Sequence, residues 1–224
     1  MGALVSFDII KLAKKKLEGS DCRSLVIGAS GGIGSVLLQM LKKYKGHITA
    51  VCSKDNAENC IKMGANEVVN YADKSFSEEL AQKGKFDVIF DLVGGKEIEA
   101  QSKLLLKKGA MYVTAVGNNQ YMAMDRVLSF GEFCSSLCGL LSRSMCGCFS
   151  PYQYVMSQGA YPPMKKEIWK SSVVESGARA LIAEEVPFRE VPLRQAMTRV
   201  FSHHAGGRVV INLEKRGESD SATV

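Results

Sequence analysis

The sequence predicts an α/β fold, a doubly wound parallel sheet with helices on both faces, and two observations lead to it. Short apolar runs alternate along the chain with stretches of helical periodicity, which is the order that parallel strands joined by crossover helices produce. The first of these runs, Leu25-Val26-Ile27, leads through a glycine cluster directly into an amphipathic helix. The chain has 224 residues, enough to bury the core of one such domain and to add a further segment.

The glycine cluster is the most specific motif of the chain. Ala29–Gly34 reads as G-x-G-x-x-G with alanine in the first position. In this pattern Gly31 lets the backbone approach a pyrophosphate, and Gly34 lets helix and strand pack closely. The helix that follows carries one apolar stripe, formed by Ile33, Val36, Leu37, Met40, Leu41 and Tyr44. The alternative interpretation is an ordinary glycine-rich turn between a strand and a helix.

Apolar runs between turn residues predict the remaining strands of the sheet. They are His47–Cys52, Glu67–Tyr71, Phe86–Asp91, Ala110–Val116 and Tyr152–Met156. Helices are predicted at 3–18, 57–63, 75–83 and from Gly94 to about Lys107. We therefore assign residues 1–178 to a Rossmann NAD(P)-binding domain, 179–214 to a C-terminal helix and strand segment, and 215–224 to a disordered tail.

The carboxyl ends of these strands are expected to line one crevice. In a doubly wound sheet, ligands bind beyond the carboxyl ends, at the point where the strand order reverses. The segments found there are Gly28–Gly34, Cys52–Lys54, Tyr71, Asp91–Gly94 and Val116-Gly117. Although they are far apart in sequence, the fold brings them together, so we expect them to hold a dinucleotide whose phosphates lie on the helix N-terminus.

The end of the second strand distinguishes between the two nicotinamide cofactors. An NAD site places Asp or Glu there to bind the ribose 2′-hydroxyl, whereas this strand ends at Cys52-Ser53-Lys54. A hydroxyl and a cation suit a 2′-phosphate, so NADP(H) is predicted. A register shift that brought Asp55 to this position would weaken the argument. The alternatives are that Lys54 is an exposed loop lysine and that Tyr71 merely covers the adenine edge.

Composition excludes several classes of function. The net charge of +6 is spread along the chain and no basic surface interleaved with aromatic residues is visible, so no nucleic-acid partner is predicted. No run of about 20 uninterrupted apolar residues occurs, so no transmembrane segment is predicted. Seven cysteines, an odd number without a signal peptide, indicate free thiols in a reducing compartment. Four of the cysteines are clustered in the sequence: Cys134, Cys138, Cys146 and Cys148. A zinc site is one interpretation of this cluster, but the spacing does not suit four tetrahedral ligands, so no metal is predicted.

Several motifs occur in a fixed order: GASGGIG, ITAVCS, MGANEVVNY, FDVIFDLVGG and GAMYVTAVG, followed by an ending from Val186 to Ile211. Together they resemble the cofactor domain of medium-chain dehydrogenases/reductases, in the zinc-independent quinone oxidoreductase-like branch. The resemblance extends from Ala3 to Leu213 and is weakest between Val127 and Glu175. It implies NADPH-dependent reduction of a small-molecule quinone or enone carbonyl, and a homodimer. The free cysteines suit a mitochondrial or cytoplasmic location, since both compartments are reducing.

The resemblance also assigns residues of this chain to contacts with the cofactor. It implies that Ser30, Gly32 and Ile33 contact the pyrophosphate. It also implies that Ser53 and Tyr71 contact the 2′-phosphate, and this chain adds Lys54 at that place. The resemblance places Leu92 and Val116 near the nicotinamide ribose, and it places His204, from the terminal segment, near the cofactor. Leu92 departs from the asparagine common in the most similar branch, so a polar contact is expected to be lost there.

Two features of the family are missing from the sequence. Its members begin with a GroES-like domain, which this sequence lacks, so the segment 179–214 is expected to lose part of its packing partner. No catalytic residue is assigned: Tyr121, Tyr152 and His203 have suitable side chains for a proton donor, with a structural role as the alternative. The alternatives to an active reductase are a catalytically incomplete NADP(H)-binding regulatory module and a fragment of a longer reductase.

Overall fold

The computed structural model describes residues 2–19, 21–72, 76–116, 131, 151–157, 177–202 and 205–213. The chain divides into two compact units, Met1–Ala178 and Arg179–Val224. The first unit contains every strand of the predicted parallel sheet.

In the described residues, the first unit is built on a six-stranded sheet with the strand order β3-β2-β1-β4-β5-β6. The strands are β1 (Arg23–Ile27), β2 (His47–Cys52), β3 (Glu67–Asn70), β4 (Phe86–Asp91), β5 (Leu106–Thr114) and β6 (Tyr152–Met156). All neighbouring strands are parallel. The order reverses between β1 and β4, which therefore flank the switch point of the sheet. The predicted fold class is confirmed.

Helices cover both faces of this sheet. They are α1 (Gly2–Leu17), α2 (Gly34–Leu41), α3 (Ala57–Met63), α4 (Phe76–Lys83) and α5 (Lys96–Leu105). Successive side chains of β1 alternate between the faces: Val26 packs in the core formed with α1 and α2, whereas Leu25 and Ile27 pack in the core that includes residues of α4 and α5. Because both faces are covered, the central strands carry consecutive apolar residues, Leu25–Ile27 in β1 and Val88–Phe90 in β4.

The predicted bounds of β2, β4, β6 and α3 agree with the structure, whereas those of the fifth strand were wrong. β5 begins at Leu106, directly after α5, and ends at Thr114. Leu106 is buried and pairs with Phe86, and a register irregularity follows between Phe86 and Val88. Together with the positive φ of Gly109 (+76°), this irregularity lets the strand pass through Lys107-Lys108-Gly109, a sequence typical of a turn.

The second unit is a small parallel βαβ arrangement. It consists of β7 (Ile182–Pro187), α6 (Glu190–Phe201) and β8 (Arg208–Asn212), with β7 paired to β8. On α6, Ala196 is buried, but three apolar side chains remain about half exposed: Met197, Val200 and Phe201. Across the described residues, no helix is both long enough and apolar enough to cross a bilayer.

Candidate dinucleotide-binding site

The glycine loop lies at the carboxyl end of β1, beside the switch point. Gly28 has a φ of +79°, which favours glycine, and the N–H groups of Gly28 and Ala29 donate to the carbonyl of Val51 on β2 at 3.2 and 3.1 Å. These bonds hold the loop against the sheet. A Cβ at Gly34 would lie 2.4 Å from the carbonyl oxygen of Gly28, so the first turn of α2 contacts the loop backbone directly. The helix thus packs closely on the loop that follows β1, which agrees with the packing role predicted for Gly34.

Gly31 has a different environment from Gly34. A Cβ on Gly31 would meet one heavy atom, the carbonyl oxygen of Gly28, at an ordinary distance of 3.4 Å. Its backbone closes a turn, with Gly31 N–H donating to Gly28 at 3.2 Å and Ser35 N–H donating to Gly31 at 2.9 Å. The protein therefore has room for a side chain at Gly31.

The N-terminus of α2 offers donors to an anion. No side chain caps the helix at Ile33. Within the described part of the chain, the backbone N–H groups of Ser30 and Ile33 meet no acceptor. The buried hydroxyl of Ser6 on α1 donates to the carbonyl of Ile33 at 3.1 Å, which helps to fix the loop from the other side. Unpaired N–H groups at a helix N-terminus are a suitable site for a phosphate.

The end of β2 and the short 3₁₀ turn that follows form a second part of the site. Ser53 is the first residue after β2, and its Oγ accepts a hydrogen bond from Nδ2 of Asn56 at 2.8 Å. This leaves the Ser53 hydroxyl hydrogen available to a ligand. Lys54 and Tyr71 are exposed. Asp55 is exposed inside the 3₁₀ turn, so the register that would put an acidic residue directly after β2 does not occur.

The turn after β4 is ordered by the side chain of Asp91, which is 1% exposed. One of its oxygens, Oδ1, accepts hydrogen bonds from the N–H groups of Val93 and Gly94 at 3.0 and 2.8 Å. Leu92, half-buried in this turn, donates its N–H to the carbonyl of Ile27 at 3.1 Å. The turn therefore lies beside the glycine loop, as predicted for residues at the switch point.

The other predicted residues lie at the carboxyl edge of the sheet, at its amino edge or outside the described residues. Val116 follows β5 at the same edge of the sheet, where its N–H donates to Oγ1 of Thr114 at 3.2 Å. Tyr152 begins β6, opposite Ala110, at the amino edge of the sheet, so it does not reach the crevice and has a structural role. Tyr121, His203, His204 and Gly117 lie outside the described residues, as do the four clustered cysteines.

A cavity of about 580 Å³ occupies the amino edge of the sheet, on the opposite side from the glycine loop. Six charged or ionisable residues line it: Asp21, Arg23, Lys45, His47, Glu67 and Lys83. Because parallel sheets bind their ligands at the carboxyl edge, this cavity is not the candidate site.

No group of three or more His, Cys, Asp or Glu side chains that could hold a metal ion occurs among the residues the structure describes. Cys22, Cys52 and Cys60 are buried free thiols. Burial raises the pKa of the Cys22 thiol, so this cysteine is in its neutral form at ordinary pH.

Sequence reasoning missed three sets of contacts that shape the site. Asn56 supports Ser53, and the Ser-x-x-Asn spacing after a strand could have revealed it. The turn-ordering role of Asp91 is suggested by its place two and three residues before the N–H groups that it binds. Tyr112, whose hydroxyl donates to Asp91 at 2.6 Å, belongs to another strand, so no local pattern pointed to this contact.

Comparison with known proteins agrees with this geometry. The sequence model of the family described as "Zinc-binding dehydrogenase" matches residues 32–161. Among curated proteins, mouse "NAD(P)H oxidoreductase RTN4IP1, mitochondrial" is 35% identical over 210 residues, covering 90% of this chain and 50% of the relative. The human protein of the same name is 35% identical over 199 residues, covering 85% of this chain and 48% of the relative. The chain thus spans about half the length of the curated relatives it matches.

Solved structures match the fold. The quinone oxidoreductase from Coxiella burnetii superimposes with a TM-score of 0.67 at 18% identity, covering 95% of this chain and 58% of that one. The Escherichia coli quinone oxidoreductase complexed with NADPH gives a TM-score of 0.65 at 18% identity, covering 94% of this chain and 63% of that one. The chain therefore belongs to the zinc-binding dehydrogenase family; its sequence is similar to the RTN4IP1 proteins and its fold to the quinone oxidoreductases.

Proposed function

We propose that this chain binds NADP(H) at the glycine loop and serves NADPH-dependent reduction of a quinone or enone carbonyl compound. The observation that carries the proposal is the uncapped N-terminus of α2, where the N–H groups of Ser30 and Ile33 have no acceptor within the described residues. It lies at the switch point, the position where such sheets bind dinucleotides. The NAD(P)H oxidoreductase names of the similar curated proteins support the same activity.

Different residues of the site would bind different parts of the cofactor. Ser30, Gly31, Gly32, Ile33 and Gly34 would receive the pyrophosphate, because the helix dipole and the N–H groups of Ser30 and Ile33 favour an anion there. When bound, the nicotinamide supplies or accepts a hydride. The chain's own part is to bind the two ends of the cofactor, orient the ring and exclude water from it.

The two ends of the cofactor would lie on opposite sides of the loop. Ser53, Lys54 and Tyr71 would bind the 2′-phosphate side, since β2 ends there. Leu92 and Val116 would lie near the nicotinamide ribose, since they follow β4 and β5. The family resemblance adds His204 to the proposed cofactor-binding residues.

Selectivity for NADPH is expected to depend on Lys54. The Lys54→Ala change should weaken NADPH binding about fivefold and leave NADH binding unchanged, since an exposed ion pair contributes up to about 1 kcal/mol. Titration of both cofactors, followed by NAD(P)H fluorescence at low and high salt, measures this difference. Lys62→Ala is the matched control, because Lys62 is also an exposed lysine and is paired with Glu58 on α3. Tighter binding of NADH than NADPH by the unsubstituted chain would contradict the assignment of Ser53 and Lys54.

Activity is tested separately from binding. The unsubstituted chain is titrated with NADPH, and oxidation of NADPH is then measured with a small quinone and with a small enone. Binding accompanied by oxidation supports a reductase. Binding without oxidation in both assays indicates instead the NADP(H)-binding regulatory module, or a fragment that requires the remainder of a longer reductase.

We further propose a homodimer and a mitochondrial location. Among the described residues β6 is an edge strand, and an edge strand can pair with a second copy of the chain. The similar curated proteins carry the word mitochondrial in their names, which supports that compartment; the cytoplasm is the alternative. Sedimentation of the purified chain measures the oligomeric state, and imaging of the tagged full-length protein establishes the compartment.

A further inference from the structure

Asp91 has an unusual set of partners for a buried acidic residue. Its Oδ1 binds the N–H groups of Val93 and Gly94, and its Oδ2 accepts hydrogen bonds from the hydroxyls of Tyr112 and Thr114 at 2.6 and 3.4 Å. No lysine or arginine among the described residues forms an ion pair with it. A buried carboxylate is costly unless donors surround it in good geometry, so these four donors determine where the carboxylate lies.

Tyr112 holds the carboxylate from the neighbouring strand. It is 1% exposed, and its ring stacks on Tyr154 of β6 with 5.6 Å between the ring centroids. Burial, together with the adjacent Asp91 carboxylate, raises the pKa of the Tyr112 phenol, so the hydroxyl remains a hydrogen-bond donor at ordinary pH. The position of Asp91 is therefore tied to β5 and β6 as well as to its own strand.

The turn that Asp91 orders is also the neighbour of the glycine loop. A Cβ at Gly28 would lie 2.9 Å from Cγ2 of Val93 and 3.5 Å from Cβ of Leu92. Gly94 and Gly95 have φ values of +79° and +108°, so the turn leads through two glycine conformations into α5. A displaced turn would change both the space beside Gly28 and the position of Leu92.

We propose that Asp91 and Tyr112 are positioning residues that set the turn Leu92–Gly95 before the cofactor arrives, so that Leu92 meets the nicotinamide half in its bound geometry. This inference rests on the proposed function, since it requires a nicotinamide dinucleotide in the crevice. It assigns no chemical step to either side chain. Its effect is preorganisation, which lowers the cost of ordering the site on binding.

Substitution of Asp91 or Tyr112 should weaken binding of the nicotinamide half of the cofactor and not of the adenosine half. Asp91→Asn and Tyr112→Phe should each weaken NADPH binding, by about tenfold and about fivefold, because each change removes or weakens hydrogen bonds that hold the turn in place. Binding of adenosine 2′,5′-bisphosphate, which contains only the adenosine half, should change by less than about twofold. Calorimetric titration of each variant with both ligands measures the difference. Tyr154→Phe, which keeps the stacked ring next to Tyr112, is the control and should leave both affinities unchanged.

Hydrogen exchange tests the structural half of the inference without a cofactor. The amide protons of Val93 and Gly94 should be protected in the unsubstituted chain and should exchange faster in Asp91→Asn. Tyr112→Phe is the milder change and keeps the test available if Asp91→Asn fails to fold. Equal loss of affinity for the two ligands, or unchanged exchange at Val93 and Gly94, would overturn the inference. Failure of the unsubstituted chain to bind either ligand would overturn the proposed function itself.

Discussion

Replacing Gly31 with valine is expected to weaken NADPH binding by about a hundredfold or more while leaving the free energy of unfolding nearly unchanged. The backbone at Gly31 does not have a positive φ, and a Cβ there meets only the Gly28 carbonyl at 3.4 Å, so the fold tolerates a side chain. The branched side chain would instead occupy the space proposed for the pyrophosphate, and loss of several charge-assisted hydrogen bonds at about 1.5–3 kcal/mol each accounts for the size of the effect.

The measurement pairs a cofactor titration with urea unfolding of the same sample. Gly31→Ala serves as a graded control, because it adds a single methyl group at the same place and should weaken binding less. If NADPH affinity survives the valine substitution while the fold is intact, the loop is an ordinary glycine-rich turn and the proposed site is wrong.

Replacing Gly34 with alanine is expected to destabilise the first unit by about 3 kcal/mol, at the upper end of the range for overpacking. Its Cβ would lie 2.4 Å from the Gly28 oxygen and 2.6 Å from the Ala29 oxygen, and since both are backbone atoms, no side-chain rotation relieves the clash. Helix propensity acts in the opposite direction, because alanine is favoured over glycine inside a helix by about 1 kcal/mol. The sign of the measured change therefore decides which effect is larger.

Urea unfolding of Gly34→Ala and Gly31→Ala provides a matched comparison of the same chemical change at two positions of one loop. We expect a large loss of unfolding free energy at Gly34 and little change at Gly31. A Gly34→Ala protein as stable as the unsubstituted chain would show that α2 does not pack against the loop as closely as described.

Much of the fold could be predicted from the sequence because local patterns of apolar and turn residues indicate its strands and helices. β2, β4 and β6 are apolar runs bounded by turn residues, and α3 ends at Gly64, whose φ of +119° is the left-handed cap conformation. The start of β5 could not be predicted in this way. Leu106 joins the sheet because it pairs with Phe86, and no pattern around Lys107-Lys108-Gly109 indicates this pairing.

The candidate site shows the same division. The segments that line it were predicted, because the carboxyl ends of parallel strands meet at one edge whatever the details of packing. The hydrogen bonds that hold these segments in place were not predicted. Asp91 is held by Tyr112 from the adjacent strand, and Ile33 is held by Ser6 from α1, and both contacts exist only after the sheet has assembled.

By itself, the sequence determined the fold class, the order of the elements and the location of the glycine loop, because hydrophobic periodicity and glycine spacing are local properties of the chain. Only the tertiary structure distinguished the two glycines of the motif: a Cβ at Gly34 would clash with backbone atoms, whereas a Cβ at Gly31 would meet one carbonyl oxygen at 3.4 Å. It also decided that Asp91 orders the turn beside the loop. The physical reason is that both facts depend on atoms from other elements, whose positions are set by packing and not by neighbours in sequence.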